Sequence, residues 1–441
     1  MSGTVLAGAL VFASAPMAAA DQTRQDQWPL KAFDAESIWK VSKGKGVTVA
    51  VIDTGVNAQH VDLKGSVIEG KDFVDGGATT PDAGDNHGTE MASIIAGHGH
   101  GPGSADGVMG LAPEAKILDI RDLGQNDDKF TASIRYAVDH GAEVINISQG
   151  GGAALDSGAE EDAIAYALKH NVVVVAATGN DGRQAGAYPA KYPGVVAVGG
   201  VKNDGEIWEK SNYGPEVLLA APATSIVSAG AVSSTSYRSG DGTSEASAYV
   251  SAAAALLRAK FPKLTAGQIV NRLTKTAGLP TSAKGLSLPD KHYGYGFIQP
   301  LAALTKDIPA GSEYGPLSVP KSLQAHQSAS ADPSSKATAA PQSGSSTDSG
   351  SGNTLLWVGL GIVGIIVLVV VILLVVKASR RNGGGGGNGP GGGTPGAYGP
   401  GPGYPPYGQQ QPAPTPQNYP YPQSQPNPYQ QPPNPNQWSN Q

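Results

Sequence analysis

The chain has 441 residues, no cysteine, and a formal net charge of −6 spread without an acidic or basic block. That length exceeds one average domain, and the lack of cysteine excludes disulfide stapling and thiol chemistry, so stability must come from a hydrophobic core. The charge distribution leaves no electrostatic footprint for nucleic acid.

Residues 5–17 are small and apolar and run into Ala18, Ala19 and Ala20 before Asp21. This predicts an export signal over residues 1–20 with an A-x-A cleavage site after Ala20. No Lys or Arg precedes the apolar run, so Met1 is expected to lie inside a longer signal; a buried N-terminal helix is the alternative.

From 21 to 309 the pattern is that of an α/β domain. Residues 47–52, 143–147 and 172–177 are short β-branched runs, continuous rather than alternating, as in parallel strands buried on both faces. Segments 131–140 and 160–170 between them carry the helical period. Strands alternating with helices predict a mainly parallel central sheet with helices on both faces, a three-layer fold with sites beyond the carboxyl ends of the strands. Only roughly 30 residues separate the signal from the first strand end, too few for an independently folding prodomain. The stretch from Trp28 to Trp39 is therefore expected to pack on the domain as a permanent extension.

Polar residues gather at element ends. Asp53 closes the first strand, His87 opens a helix in Asn86-His87-Gly88-Thr89, and Asn180 follows the run at 172–177. Ser244 follows Gly242-Thr243 at the start of an alanine-rich helix. Taken singly, the Asp reads as a turn residue, the His as structural and the Ser as an N-cap. Together they are the residue types needed for nucleophilic acyl transfer, since a serine hydroxyl needs a base, and the base needs a carboxylate to fix its tautomer.

The Asp, His, Ser order, with Asp-Thr-Gly, His-Gly-Thr, Gly-Asn and Gly-Thr-Ser motifs at Asp53, His87, Asn180 and Ser244, resembles the subtilisin-like serine proteases over residues 28–303. The resemblance implies a subtilisin-like fold and no cofactor. It implies Asp53, His87 and Ser244 as catalytic residues, Asn180 with the Ser244 N–H as the oxyanion donors, and a peptide substrate lying as an extended strand along Ser148, Gln149 and Gly150. Gly151 and Gly152 then read as the start of a surface loop, with a plain strand-to-loop turn as the alternative.

Three positions depart from the family. Ala223 and Ala248 replace a common glycine and proline and read as neutral. Glu245, directly after Ser244, stands where the family usually has methionine. It complements a helix N-terminus, or it opposes ionisation of the nucleophile and repels acidic substrates. No metal is expected: His98-Gly99-His100 has no supporting ligand cluster and reads as a loop, His60 reads as structural, and Asp72, Asp75, Asp82 and Asp85 read as a solvated acidic loop that matches no EF-hand.

Residues 310–353, rich in Ser, Ala, Gly and Pro, read as a flexible linker. Residues 354–376 form an apolar run long enough to cross a bilayer, followed by Lys377, Arg380 and Arg381. The positive-inside rule places residues 377–441, a Gly/Pro/Gln/Tyr-rich tail expected to be disordered, in the cytoplasm and the peptidase domain outside the cell. This plan resembles the mycosins, membrane-anchored proteases of type VII secretion in actinobacteria. The resemblance implies a single-pass serine endopeptidase of the cell membrane acting on secreted or envelope proteins. The alternative is a structural component of a type VII secretion complex in which catalysis is dispensable.

Overall fold

The computed structural model describes residues 21–149, 158–184 and 186–324. The expected signal, membrane span and tail lie outside them. Among the described residues no helix is long and apolar enough to cross a membrane.

Three short helices, α1 (Gln22–Gln25), α2 (Trp28–Ala32) and α3 (Ala35–Val41), lead into β1 (Thr48–Asp53) and β2 (Val67–Asp72). Then come α4 (His87–Ala96), a hairpin of β3 (His98–His100) and β4 (Asp106–Met109), β5 (Lys116–Arg121), α5 (Asp127–Asp139), β6 (Val144–Ile147) and α6 (Gly158–Lys169). Strands β7 (Val173–Ala177), β8 (Val195–Val201) and β9 (Val217–Pro222) complete the sheet. A second hairpin, β10 (Ile226–Ala229) and β11 (Tyr237–Gly240), delivers the chain to α7 (Thr243–Lys260), followed by α8 (Ala266–Thr276) and α9 (Pro300–Thr305).

Seven strands pair, all in parallel, in the order β2-β5-β1-β6-β7-β8-β9. The apolar runs are continuous because alternate side chains serve two cores. Val49 and Val51 of β1 join Met91, Ile94 and Ile95 of α4 and Val250 and Leu256 of α7. Ala50 and Ile52 join Phe130 and Ile134 of α5 and Ile164 of α6 on the other face. Each such burial stabilises the fold by ~1.5–3 kcal/mol. From β1 the chain runs to the edge strand β2, returns as β5 between β2 and β1, and then continues from β6 to β9 on the other side of β1. The order therefore reverses between β1 and β6, where an open parallel sheet leaves a crevice at its carboxyl edge.

Helix α7 is buried from Thr243 through Arg258, which explains its alanines. Residues without bulk let a helix pass between the sheet and α4 on every side at once.

The leading extension is built in as expected. Leu30, Phe33 and Ile38 belong to the α4–α7 core, and Phe33 meets Tyr249 edge-on with ring centroids 5.7 Å apart. Gln27 Nε2 donates to the Met109 carbonyl and its Oε1 accepts from the Met109 N–H, both at 2.9 Å. Trp28 Nε1 donates to Thr224 O, and Trp39 Nε1 to Leu111 O.

Several expectations change. Residues 98–100 form a strand rather than a loop, because Asp62 gathers His100 Nδ1 (2.7 Å), Val108 N (2.8 Å) and the Tyr237 hydroxyl (2.9 Å) about a buried carboxylate. The acidic loop is not simply solvated. Arg121 bonds Asp72, Asp75 and Asp82, while half-buried Asp85 accepts from the Thr54 hydroxyl. The folded body also continues to Gln324, into the stretch expected to be linker: Leu317 and Leu323 are buried, and the Lys321 N–H bonds Glu161.

Candidate active site

The crevice between β1 and β6 collects the predicted residues. Asp53 is the last residue of β1 and fully buried. Its Oδ1 accepts from the Thr54 N–H and from His87 Nδ1, each at 2.8 Å. With a carboxylate as acceptor, Nδ1 carries the proton and Nε2 is left to act as a base. Burial opposes charge on the ring, but the Asp53 carboxylate, with Glu245 and Glu90 behind it, outweighs that and raises His87 to about 9. The side chain keeps 37 % of its surface open to solvent, so this charge is partly screened.

The start of α4 is clamped. Thr54 Oγ1 donates to Asp85 Oδ1 (2.9 Å) and accepts from Gly88 N (3.1 Å), and Asp85 Oδ1 accepts from His87 N (3.0 Å). Gly88 lies against the turn after Asp53, where an added Cβ would come within 2.4 Å of Gly55 O.

Ser244 is the second residue of α7, and Gly242 occupies the cap position. The N-cap reading of Ser244 is therefore incorrect: a capping oxygen accepts from the helix, whereas Ser244 Oγ donates to the Ser148 carbonyl at 2.9 Å. A polar ladder fixes this turn to β6. Asn146 Nδ2 donates to Ser148 Oγ (2.8 Å), Asn146 Oδ1 accepts from Ser251 Oγ (2.8 Å), and Ser247 Oγ donates to Ser244 O (2.8 Å). Asn146, Ser247 and Ser251 were missed at the sequence level, although their signal was present as a lone amide in a β-branched strand and serines four apart in an alanine helix.

Asn180, beyond β7, is held by its oxygen. Thr243 donates to its Oδ1 through the backbone N–H (2.9 Å) and the hydroxyl (2.8 Å), leaving Nδ2 without a partner among the described residues. A Cβ at Gly242 would lie 3.4 Å from that Nδ2.

The side chains of Ser148 and Gln149 face inward. Ser148 Oγ belongs to the ladder, and Gln149 Nε2 bonds the carbonyls of Ile52 and Asp122, tying the ends of neighbouring strands together. Gly150 lies outside the described residues. No group of His, Cys, Asp or Glu among the described residues is arranged to hold a metal.

An oriented imidazole, a serine at the start of a buried helix and a free amide at one crevice can support general-base and oxyanion chemistry. Residues 44–296 match the subtilase (Peptidase S8) family, and the chain belongs to that family of serine endopeptidases. It is 38% identical over 272 residues to a thermophilic serine proteinase from a Bacillus species, covering 60% of this chain and 64% of that protein. It is also 36% identical over 337 residues to mycosin-1 of Mycobacterium tuberculosis, covering 64% of this chain and 73% of the relative. A solved structure of the MycP3 protease from the type VII (ESX-3) secretion system superposes with a TM-score of 0.56 at 32% identity, covering 66% of this chain and 91% of that one.

Proposed function

We propose that the chain is a membrane-anchored serine endopeptidase that hydrolyses peptide bonds through Asp53, His87 and Ser244. Rotation about χ1 releases Ser244 Oγ from Ser148 O and brings it to His87 Nε2. The oxygen attacks the peptide carbonyl while its proton passes to Nε2. The C–N bond breaks as that proton moves to the leaving amine, and water repeats the sequence to free the acid. Asn180 Nδ2 and the Ser244 N–H stabilise the charge on the carbonyl oxygen. The observation that carries this reading is the 2.8 Å contact from His87 Nδ1 to buried Asp53, which leaves Nε2 as the free base.

The membrane anchor rests on the apolar run at 354–376 and the cations after it. A link to type VII secretion rests on the likeness to mycosin-1 and to the MycP3 protease. A fluorophosphonate probe should label the full chain and fail to label Ser244→Ala; a folded wild-type protein that never reacts would refute the peptidase reading.

The second reading is a structural role, favoured by likeness to a MycP1 serine protease described as an essential component of the type VII (ESX-1) secretion system. Normal secretion in a Ser244→Ala strain, together with loss of secretion in a deletion strain, would select it.

A further inference from the structure

Glu245 is the departure from the family pattern that the proposed reaction leaves unused. Its side chain is buried and folds back along the strand that leads into α7. A Cβ at Gly240 would lie 2.7 Å from Glu245 Oε1, and one at Gly242 would lie 2.5 Å from Oε2. The two glycines therefore make room for the carboxyl. The same two points locate its neighbours. The Gly242 point is 3.4 Å from Asn180 Nδ2, and the Gly240 point is 3.8 Å from Glu90 Oε2, on α4 one turn beyond His87. The carboxyl group thus lies near both the free amide and Glu90 of the helix that carries the imidazole.

Its surroundings do not neutralise it. Glu90 has a counter-ion, since its Oε1 lies 2.9 Å from Arg238 Nε on β11. Glu245 has no cationic partner within ion-pair distance among the described residues, and the donor turned toward it is its own backbone N–H. The charged and titratable groups around it are His87 and Glu90 on α4, Asp241 in the turn before α7, and Tyr249 within α7.

Resting on the proposed triad, we infer that Glu245 is a positioning residue that sets the working pH of the peptidase. As a carboxylate it stabilises the protonated His87 ring, delays the free base to higher pH, and opposes the negative charge that develops beside Asn180. The electrostatics agree in sign. Burial pushes Glu245 up to about 7, with Glu90 and Asp241 adding to the rise and His87 opposing it. Its charge therefore appears near neutrality, below the point at which His87, raised to about 9, loses its proton. While the ring holds its second proton, Nε2 cannot accept one from Ser244, so a charge that favours the imidazolium moves the onset of activity to higher pH.

The test is the rate of fluorophosphonate labelling of the full chain across pH ~5 to 10, compared with Glu245→Gln. The acid limb is expected to move down by about one pH unit, as for one unit charge acting on the ring across a partly solvated cleft, and the plateau rate to rise several-fold. Glu245→Met, which does not depend on amide hydrogen bonds for folding, should move the limb in the same direction. Glu90→Gln should move it less, because Arg238 already balances that charge. Superimposable profiles for wild type and both Glu245 variants would overturn the inference while leaving the triad standing. Labelling that survives in Ser244→Ala would overturn both.

Discussion

Replacing Thr243 by valine removes one hydroxyl and almost no volume at a fully buried position. That hydroxyl donates to Asn180 Oδ1 at 2.8 Å and accepts from Gly179 N at 3.0 Å. The substitution strips Asn180 of one of its two anchors and leaves a part-buried N–H without its acceptor. One lost hydrogen bond and one unsatisfied donor together cost about 2 kcal/mol of stability, a fall in Tm of roughly 5 °C for a domain of this size. Asn180 keeps its bond from the Thr243 N–H, so its amide is loosened rather than lost. The expected loss of transition-state stabilisation is about 1 kcal/mol, or roughly five- to tenfold in kcat, with KM little changed. Steady-state kinetics on a peptide substrate and a thermal melt measure both, and Thr243→Ser should restore both. Asn180→Ala should cost more, ~10²–10³ in kcat, the magnitude known for subtilisin's corresponding donor. If Thr243→Val equals Asn180→Ala, or raises KM with kcat intact, the hydroxyl is not acting through the amide.

Three further outcomes are expected. In Gly88→Ala the new Cβ meets the backbone oxygen of Gly55 at 2.4 Å, so α4 must shift; fluorophosphonate labelling should fall at least tenfold in protein that still folds. Asp119, pushed up to about 7 chiefly by burial, costs the fold stability when it ionises. Because its folded value lies above its unfolded one, that cost is absent below about pH 4 and grows as pH rises toward 7. Asp119→Asn, which keeps an acceptor for Val56 N, should therefore raise Tm by several degrees at pH ~8 and leave it unchanged at pH ~4; an equal gain at both would remove ionisation as the cause. His87 runs the opposite way: its raised value adds stability that is complete below about 6.5 and is lost through about 9, so Asp53→Asn should shrink the fall in Tm between those pH values.

The parts of the fold legible in the sequence were those with a repeating physical signal. Continuous apolar runs at β1, β6 and β7 announced strands covered on both faces, and the structure divides their residues between two cores. Strand β5 was missed because Lys116, Asp119 and Arg121 interrupt its apolar residues; the Arg121 charge is met by Asp72, Asp75 and Asp82, all distant in sequence. The residues at the crevice were legible because glycine motifs mark the sharp turns that carry them. Their supports were not. The pairing of Asn146 with Ser251, or of Thr243 with Asn180, joins residues far apart in sequence and exists only after the sheet has formed. Ser244 shows the limit from the other side: its residue type and helix start also suggested a cap beside its expected catalytic role, and the direction of its hydroxyl bond removed the cap.

The leading extension has a consequence for how long such an enzyme survives its own company. Trp28 reaches Thr224, 196 residues away, just ahead of the β10–β11 hairpin, while Gln27 holds β4. A cysteine-free peptidase at high local concentration is lost through the segments that open most often, because a cleavable strand must first leave the body. By tying the start of the folded body to Thr224, the extension couples local fraying to a much larger opening. Loosening this clasp is therefore expected to shorten the half-life against autolysis.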